Sequence, residues 1–148
     1  RRYRLKVVPH VQETVKLLCG TIVVQTHRPY SPEVTRELLE HWYRMHARAK
    51  FAERIEVNLL RFPEPDALRP RSLIIRKLRL RWGSMSPAGR LLLNRRLIEA
   101  PLDAIDYVIT HELCHGAVPH HGAAFYELLG RVMPDWEQRK LRLEKILA

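Results

Sequence analysis

The sequence predicts an α+β fold with small β-hairpin sheets packed beside several helices. Three observations carry this expectation. Short β-prone runs crowd residues 3–27 and recur between 73 and 94. A long stretch from Pro32 has apolar residues at spacings of three and four. The last third of the chain then carries three more helical patterns punctuated by Pro and Gly.

The first β region holds Tyr3 to Val8, Thr14 to Leu18 and Thr21 to Thr26, with Cys19-Gly20 as a turn, and reads as a hairpin or meander. Ser31-Pro32-Glu33 announces a helix: a hydroxyl cap, Pro in the first turn, then an acid near the positive helix end. Val34, Leu38, Trp42, Met45, Ala49 and Ala52 form its expected stripe over residues 32–53. His41 and His46, on or near this helix and without a partner motif, read as surface polar residues. Residues 55–62 are ambiguous between helix end and strand, and Pro63, Pro65 and Pro70 mark a loop.

Leu73 to Trp82 alternates apolar and Arg residues and reads as one strand; Gly83 to Gly89 reads as a turn and Arg90 to Asn94 as the returning strand. Trp82 reads as a packing residue of that hairpin. Pro101-Leu102-Asp103 opens a helix whose stripe is Leu102, Ile105, Val108, Ile109 and Leu113, ending at Gly116. A further helix spans roughly 122–131. Asp135 with Gln138 resembles a capping box for a last helix at 136–147.

The chain has 148 residues, which predicts one domain over 1–148, with 1–30 as an N-terminal β-hairpin region and 31–148 as helix, sheet and remaining helices. It begins at Arg1 without Met, so a preceding segment stays open. No apolar run reaches the roughly 18 residues of a membrane span, and no signal-peptide core opens the chain. With only Cys19 and Cys114, a reducing, cytoplasmic location is expected. Net charge is +10, from 20 Arg and 6 Lys against 16 acids. Arg76, Arg79 and Arg81 on one strand, with Arg95-Arg96 after the next, suggest a basic face and keep a nucleic-acid partner open.

The chemistry concentrates in His111-Glu112-Leu113-Cys114-His115. Residues four apart on a helix share a face, so both imidazoles can reach one metal ion, with Glu112 about 100° around, within reach of a metal-held water. Cys114 points elsewhere and reads as a small packed hydrophobe. A catalytic zinc site wants three protein ligands and an open position. His121, six residues beyond His115 across a turn, is the preferred third ligand; His120 and Glu127 are the alternatives. Tyr126 or His120 can serve as a second donor to the oxyanion, Glu127 as a support behind the ligands. The strand end at Gly83 and Ser84 is the place where an extended peptide can add.

Together Arg81-Trp82-Gly83-Ser84, Gly89, Leu93-Asn94, Leu97, Pro101, Asp106-Tyr107-Val108, the HExxH run, His121, Phe125 and Pro134-Asp135 resemble the YgjP-like (DUF45) metallopeptidase family, related to SprT-like and Spartan-type zincins. The likeness covers about residues 74–137. It implies a zincin-like fold, one zinc held by His111, His115 and His121, Glu112 as catalytic base, and a peptide or protein substrate. The family usually reads W-G-S-C-S, and this chain has Met85 at the Cys position. The metzincin form of the motif has Gly where this chain has Val118, so the chain is not placed there. The rival readings are a nucleic-acid-associated protease and a non-catalytic module with a structural zinc.

Overall fold

The structure is a computed structural model that describes residues 3–147. Two compact units divide it, residues 1–46 and 47–148. The first contains β1 (Arg4–Pro9), β2 (Thr14–Leu18), β3 (Thr21–Thr26) and the start of α1 (Pro32–Leu59). Cys19 and Gly20 both have positive φ, 48° and 77°, as a two-residue hairpin turn requires, so β2 and β3 pair antiparallel with Leu18 opposite Thr21. β1 does not extend this hairpin into a meander. It lies parallel on the other side of β3, giving the order β1-β3-β2. The central strand alternates cleanly, with Ile22, Val24 and Thr26 buried. Ser31 Oγ accepts from the Val34 backbone N–H at 3.4 Å, the expected cap.

α1 runs to Leu59 and so resolves the ambiguous segment as helix. Its buried stripe differs from the expected one: Met45, Ala49 and Ala52 are exposed, whereas Ala47, Phe51, Ile55 and Leu59 are buried at spacings of four. These four belong to the second unit and enter its core. A short helix α2 (Pro65–Leu68) occupies part of the Pro-rich loop.

The second sheet has β4 (Ser72–Arg76), β5 (Gly83–Met85) and β6 (Arg90–Asn94), in the order β4-β6-β5. The expected single strand through Trp82 breaks after Arg76, and Gly83-Ser84-Met85 is strand rather than turn. β4 runs parallel to β6; the hairpin is β5–β6. Asn94 explains the break. Its buried side-chain amide donates to the Leu78 and Arg81 carbonyls at 2.9 and 3.0 Å, and its backbone N–H donates to Trp82 O at 2.8 Å. These bonds hold residues 78–82 in a path away from the β4 strand, and Leu80 is 98% exposed. Arg76, Arg79 and Arg81 therefore do not share a strand face, and the basic face expected from their alternation does not form in that way.

After a 3-10 turn (Arg95–Glu99) come α3 (Leu102–Ala117), α4 (Ala123–Val132) and α5 (Trp136–Leu147). Leu102 is exposed, but Ala104 to Thr110 and Glu112 to Cys114 are all buried. A helix buried on nearly every side is a central one; α2, β5, α4 and α5 all pack on it. Asp106, one turn before Thr110, accepts two hydrogen bonds from Arg54 and one from Asn58, all at 2.8 Å, tying α3 to the C-terminal half of α1. Asp135 accepts from Arg139 Nε at 3.0 Å rather than showing the expected pairing with Gln138. No helix among the described residues is long and apolar enough to cross a membrane.

Candidate metal centre and catalytic cleft

α3 ends where Val118 N–H donates to Cys114 O, and Pro119 prevents continuation. The chain then turns through 118–122, with Gly122 N–H on His120 O at 2.9 Å, and enters α4. This turn carries His121 back under α3. His121 Nε2 stands 2.7 Å from His115 Nε2 and 3.3 Å from His111 Nε2. Three nitrogens that each reach one zinc at about 2.0–2.1 Å in a tetrahedron stand about 3.3 Å apart, so the cluster fits such an ion. Within the described residues, the group of metal-capable atoms here comprises these three histidines. Glu127 and His120 are exposed and outside it.

Burial and the neighbouring imidazoles favour the neutral form of His111 and His115, which is the form that binds a metal. His111 is pushed down to about 4, first by burial and then by His115 and His121. His115 is lowered for the same reasons. His115 Nδ1 faces Val118 O at 3.3 Å, leaving Nε2 for the cluster. His111 Nδ1 is buried without a hydrogen-bond partner, so packing orients that ring. Tyr107, one turn earlier, meets it edge-on at 5.9 Å. Phe125, fully buried in the first turn of α4, lies within 4.4–4.9 Å of all three histidine rings. Neither supporting role was assigned from the sequence. The i, i+4 spacing of Tyr107 and His111 was the available signal for one; Phe125 depends on tertiary packing.

Glu112 is 7% exposed, and burial pushes its carboxyl up to about 7 against the weaker opposing pull of Arg81. Gly83 lies against it. A Cβ on Gly83 would sit 3.3 Å from Glu112 Cγ and 2.9 Å from Leu92 O, so β5 approaches this closely only because residue 83 has no side chain. Tyr126 is 45% exposed and stacks beside His121 at 6.3 Å. Cys114 is buried, its thiol pushed up to about 12 chiefly by burial, and is packing rather than chemistry.

These groups open into a cleft of about 970 Å³, bounded by residues 67–71, 81–89 and the α3 face with His121. Trp82 both lines it and packs on the core. Residues 1–146 match the family model described as YgjP-like, metallopeptidase domain. The chain belongs to the YgjP-like metallopeptidase family. Its fold is that of solved zincin-like metallopeptidases. The abylysin zymogen of Pyrococcus abyssi superposes with a TM-score of 0.55 at 19% identity, covering 66% of this chain and 94% of that one. The jannalysin zymogen of Methanocaldococcus jannaschii gives 0.51 at 21% identity, covering 68% and 96%. No curated protein matches the chain.

Proposed function

We propose that this YgjP-like protein is a zinc-dependent peptidase in which His111, His115 and His121 hold one zinc and Glu112 is the general base. The observation that carries the reading is the convergence of three imidazole nitrogens from two elements beside a buried carboxylate at the floor of an open cleft. A structural zinc takes four protein ligands; a group of three within the described residues favours a site with an open position.

Zinc held there supplies Lewis-acid polarisation of the scissile carbonyl and acidifies water. Glu112 takes one proton as the water oxygen bonds to the carbonyl carbon, then returns it to the leaving nitrogen as the C–N bond breaks. A carboxyl held near 7 by burial suits a group that must both accept and give back a proton near neutral pH. β5 uses one side to pair with β6 and is an edge strand of its sheet. Gly83 and Ser84 line the cleft on that strand, so an extended peptide can add there with its backbone passing Glu112. Tyr107 keeps its proton, pushed up to about 12 by burial, and acts through its ring on His111. The Tyr126 ring of α4 stacks beside His121. All of these residues lie in the unit 47–148, which we take as the catalytic part of the domain.

The test compares two variants on a casein substrate. Glu112→Gln keeps the shape of the side chain and should retain zinc while losing about 10²–10⁴-fold in rate, the usual cost of removing a general base. His111→Ala should lose zinc and activity together. Cleavage by Glu112→Gln as fast as the parent would sink the mechanism.

A further inference from the structure

The cleft has a second chemical character besides its histidine cluster. Its lining includes three arginines, Arg69, Arg71 and Arg81, against one carboxylate, the buried Glu112. Arg69 is engaged with Glu56 and Asp66 outside the cleft lining. Arg71 and Arg81 are exposed, and no carboxylate forms an ion pair with either among the described residues. A concave site walled by one sign of charge concentrates the opposite sign, here within a chain of net charge +10.

We propose that the cleft selects acidic peptide segments, with Arg81 receiving a carboxylate side chain next to the cleaved bond and Arg71 receiving one further along the strand. This rests on the peptidase reading given above and names its substrate class. Position distinguishes the two sites. Arg81 is two residues before Gly83, the residue that touches Glu112. Arg71 is fixed at the other end of β5, by the hairpin turn. Its backbone N–H donates to Gly89 O at 2.8 Å, and its Cγ lies 3.2 Å from where a Gly89 Cβ would be. From Gly83 to the start of that turn at Ser86 is three residues, about 10 Å at roughly 3.3 Å per residue. A paired substrate would therefore present a side chain to Arg71 about two to four residues from the bond. Guanidinium forks suit carboxylates; neither fork is ion-paired among the described residues, although Arg81 lies near enough to act on the Glu112 carboxyl.

Binding is read with zinc-loaded Glu112→Gln, by fluorescence anisotropy of a labelled decapeptide with Glu at alternate positions and of its Lys twin. The Glu peptide should bind more tightly, and less so as salt rises. Arg71→Ala and Arg81→Ala should each weaken it about two- to fivefold, the range of a partly exposed ion pair. Arg131→Ala removes the same charge from an exposed position outside the cleft and should leave binding unchanged. Equal binding of the Lys twin, or an equal loss in Arg131→Ala, would overturn the proposal and reduce the effect to bulk charge. The zinc-loaded parent is then profiled on a mixed peptide library, where acidic residues should be enriched around cleavage sites and the enrichment should fade in the two cleft variants; a flat profile also overturns it. A parent that binds the Glu peptide through Arg71 and Arg81 yet hydrolyses nothing would sink the peptidase reading and leave the charge selectivity standing.

Discussion

The two sheets of this protein share one topology and differ in what they are used for. In each, the last strand in sequence order is central, with the first strand parallel on one side and the second antiparallel on the other. In the first sheet the hairpin turn is two residues, the central strand alternates in burial, and charged partners are at the surface. In the second the first strand is cut short by Asn94, the central strand buries Leu91, Leu93 and Asn94, and the edge strand presses a glycine against a buried glutamate. In the second sheet this wiring brings the edge strand β5 against the buried helix α3, where it walls the cleft.

The ion pairs break this comparison most sharply. Asp106 is buried and carries three hydrogen bonds from Arg54 and Asn58. Asp106→Ala leaves a half-buried guanidinium and a buried amide without their acceptor, and should cost about 3–5 kcal/mol in denaturant unfolding. In the first unit, Glu13 accepts from Thr26 and Arg28. Glu13→Ala should leave the unfolding midpoint nearly unchanged, because solvent already screens that pair.

The buried titratable groups of the second unit come next, measured on metal-free protein. Between about 4.5 and 7 folded Glu112 keeps a proton that the unfolded chain has released, so its contribution to stability falls as pH rises. The shift corresponds to about 3 kcal/mol of destabilisation by pH 8. His111 acts in the opposite sense. Between about 4 and 6.5 the unfolded chain binds a proton that the folded one refuses, so stability climbs with pH. His115 adds to that climb. The parent should therefore show a shallow dependence. Metal-free Glu112→Gln should melt higher than the parent at pH 8 and show the steeper histidine rise between pH 4 and 6.5. Parallel melting curves for the two proteins across that range would contradict the burial account of Glu112.

Glycine substitutions sharpen the contrast with the smallest effects. Gly83→Ala drives a methyl into Leu92 O and toward Glu112, and should cost about 1–3 kcal/mol with a drop in hydrolysis. Gly20→Ala meets no atom within 4 Å and should cost only the left-handed backbone penalty of about 1 kcal/mol, with activity intact. Thermal melts and casein turnover of both variants separate a steric requirement from a conformational one.

What the residues revealed follows the same division. The β2–β3 hairpin was legible because Cys19-Gly20 is a local turn; the parallel placement of β1 depends on a crossover that no local pattern encodes. The alternation from Leu73 to Trp82 misled because it continues past Arg76, whereas the strand stops where the Asn94 amide captures the Leu78 and Arg81 carbonyls. Along α1, two sets of residues keep helical spacing, and only tertiary packing chooses Ala47, Phe51, Ile55 and Leu59 over Met45, Ala49 and Ala52. The convergence of the three histidines was legible because i, i+4 on a helix puts His111 and His115 on one face, and the Pro and Gly of the following turn allowed His121 to return. The ring of Phe125 behind all three histidines and the closeness of Gly83 to Glu112 were not, since both are contacts between elements distant in sequence.

The central claim is that three histidines hold one zinc and leave a position open beside Glu112. Zinc-edge X-ray absorption of the loaded protein tests it most directly. We expect one zinc per chain, with three nitrogen scatterers of imidazole type at about 2.0–2.1 Å and one further oxygen ligand from water. The His121→Ala variant should lose one imidazole shell or the metal. A first shell containing sulfur, four protein nitrogens, or a spectrum unchanged in His121→Ala would contradict the assignment.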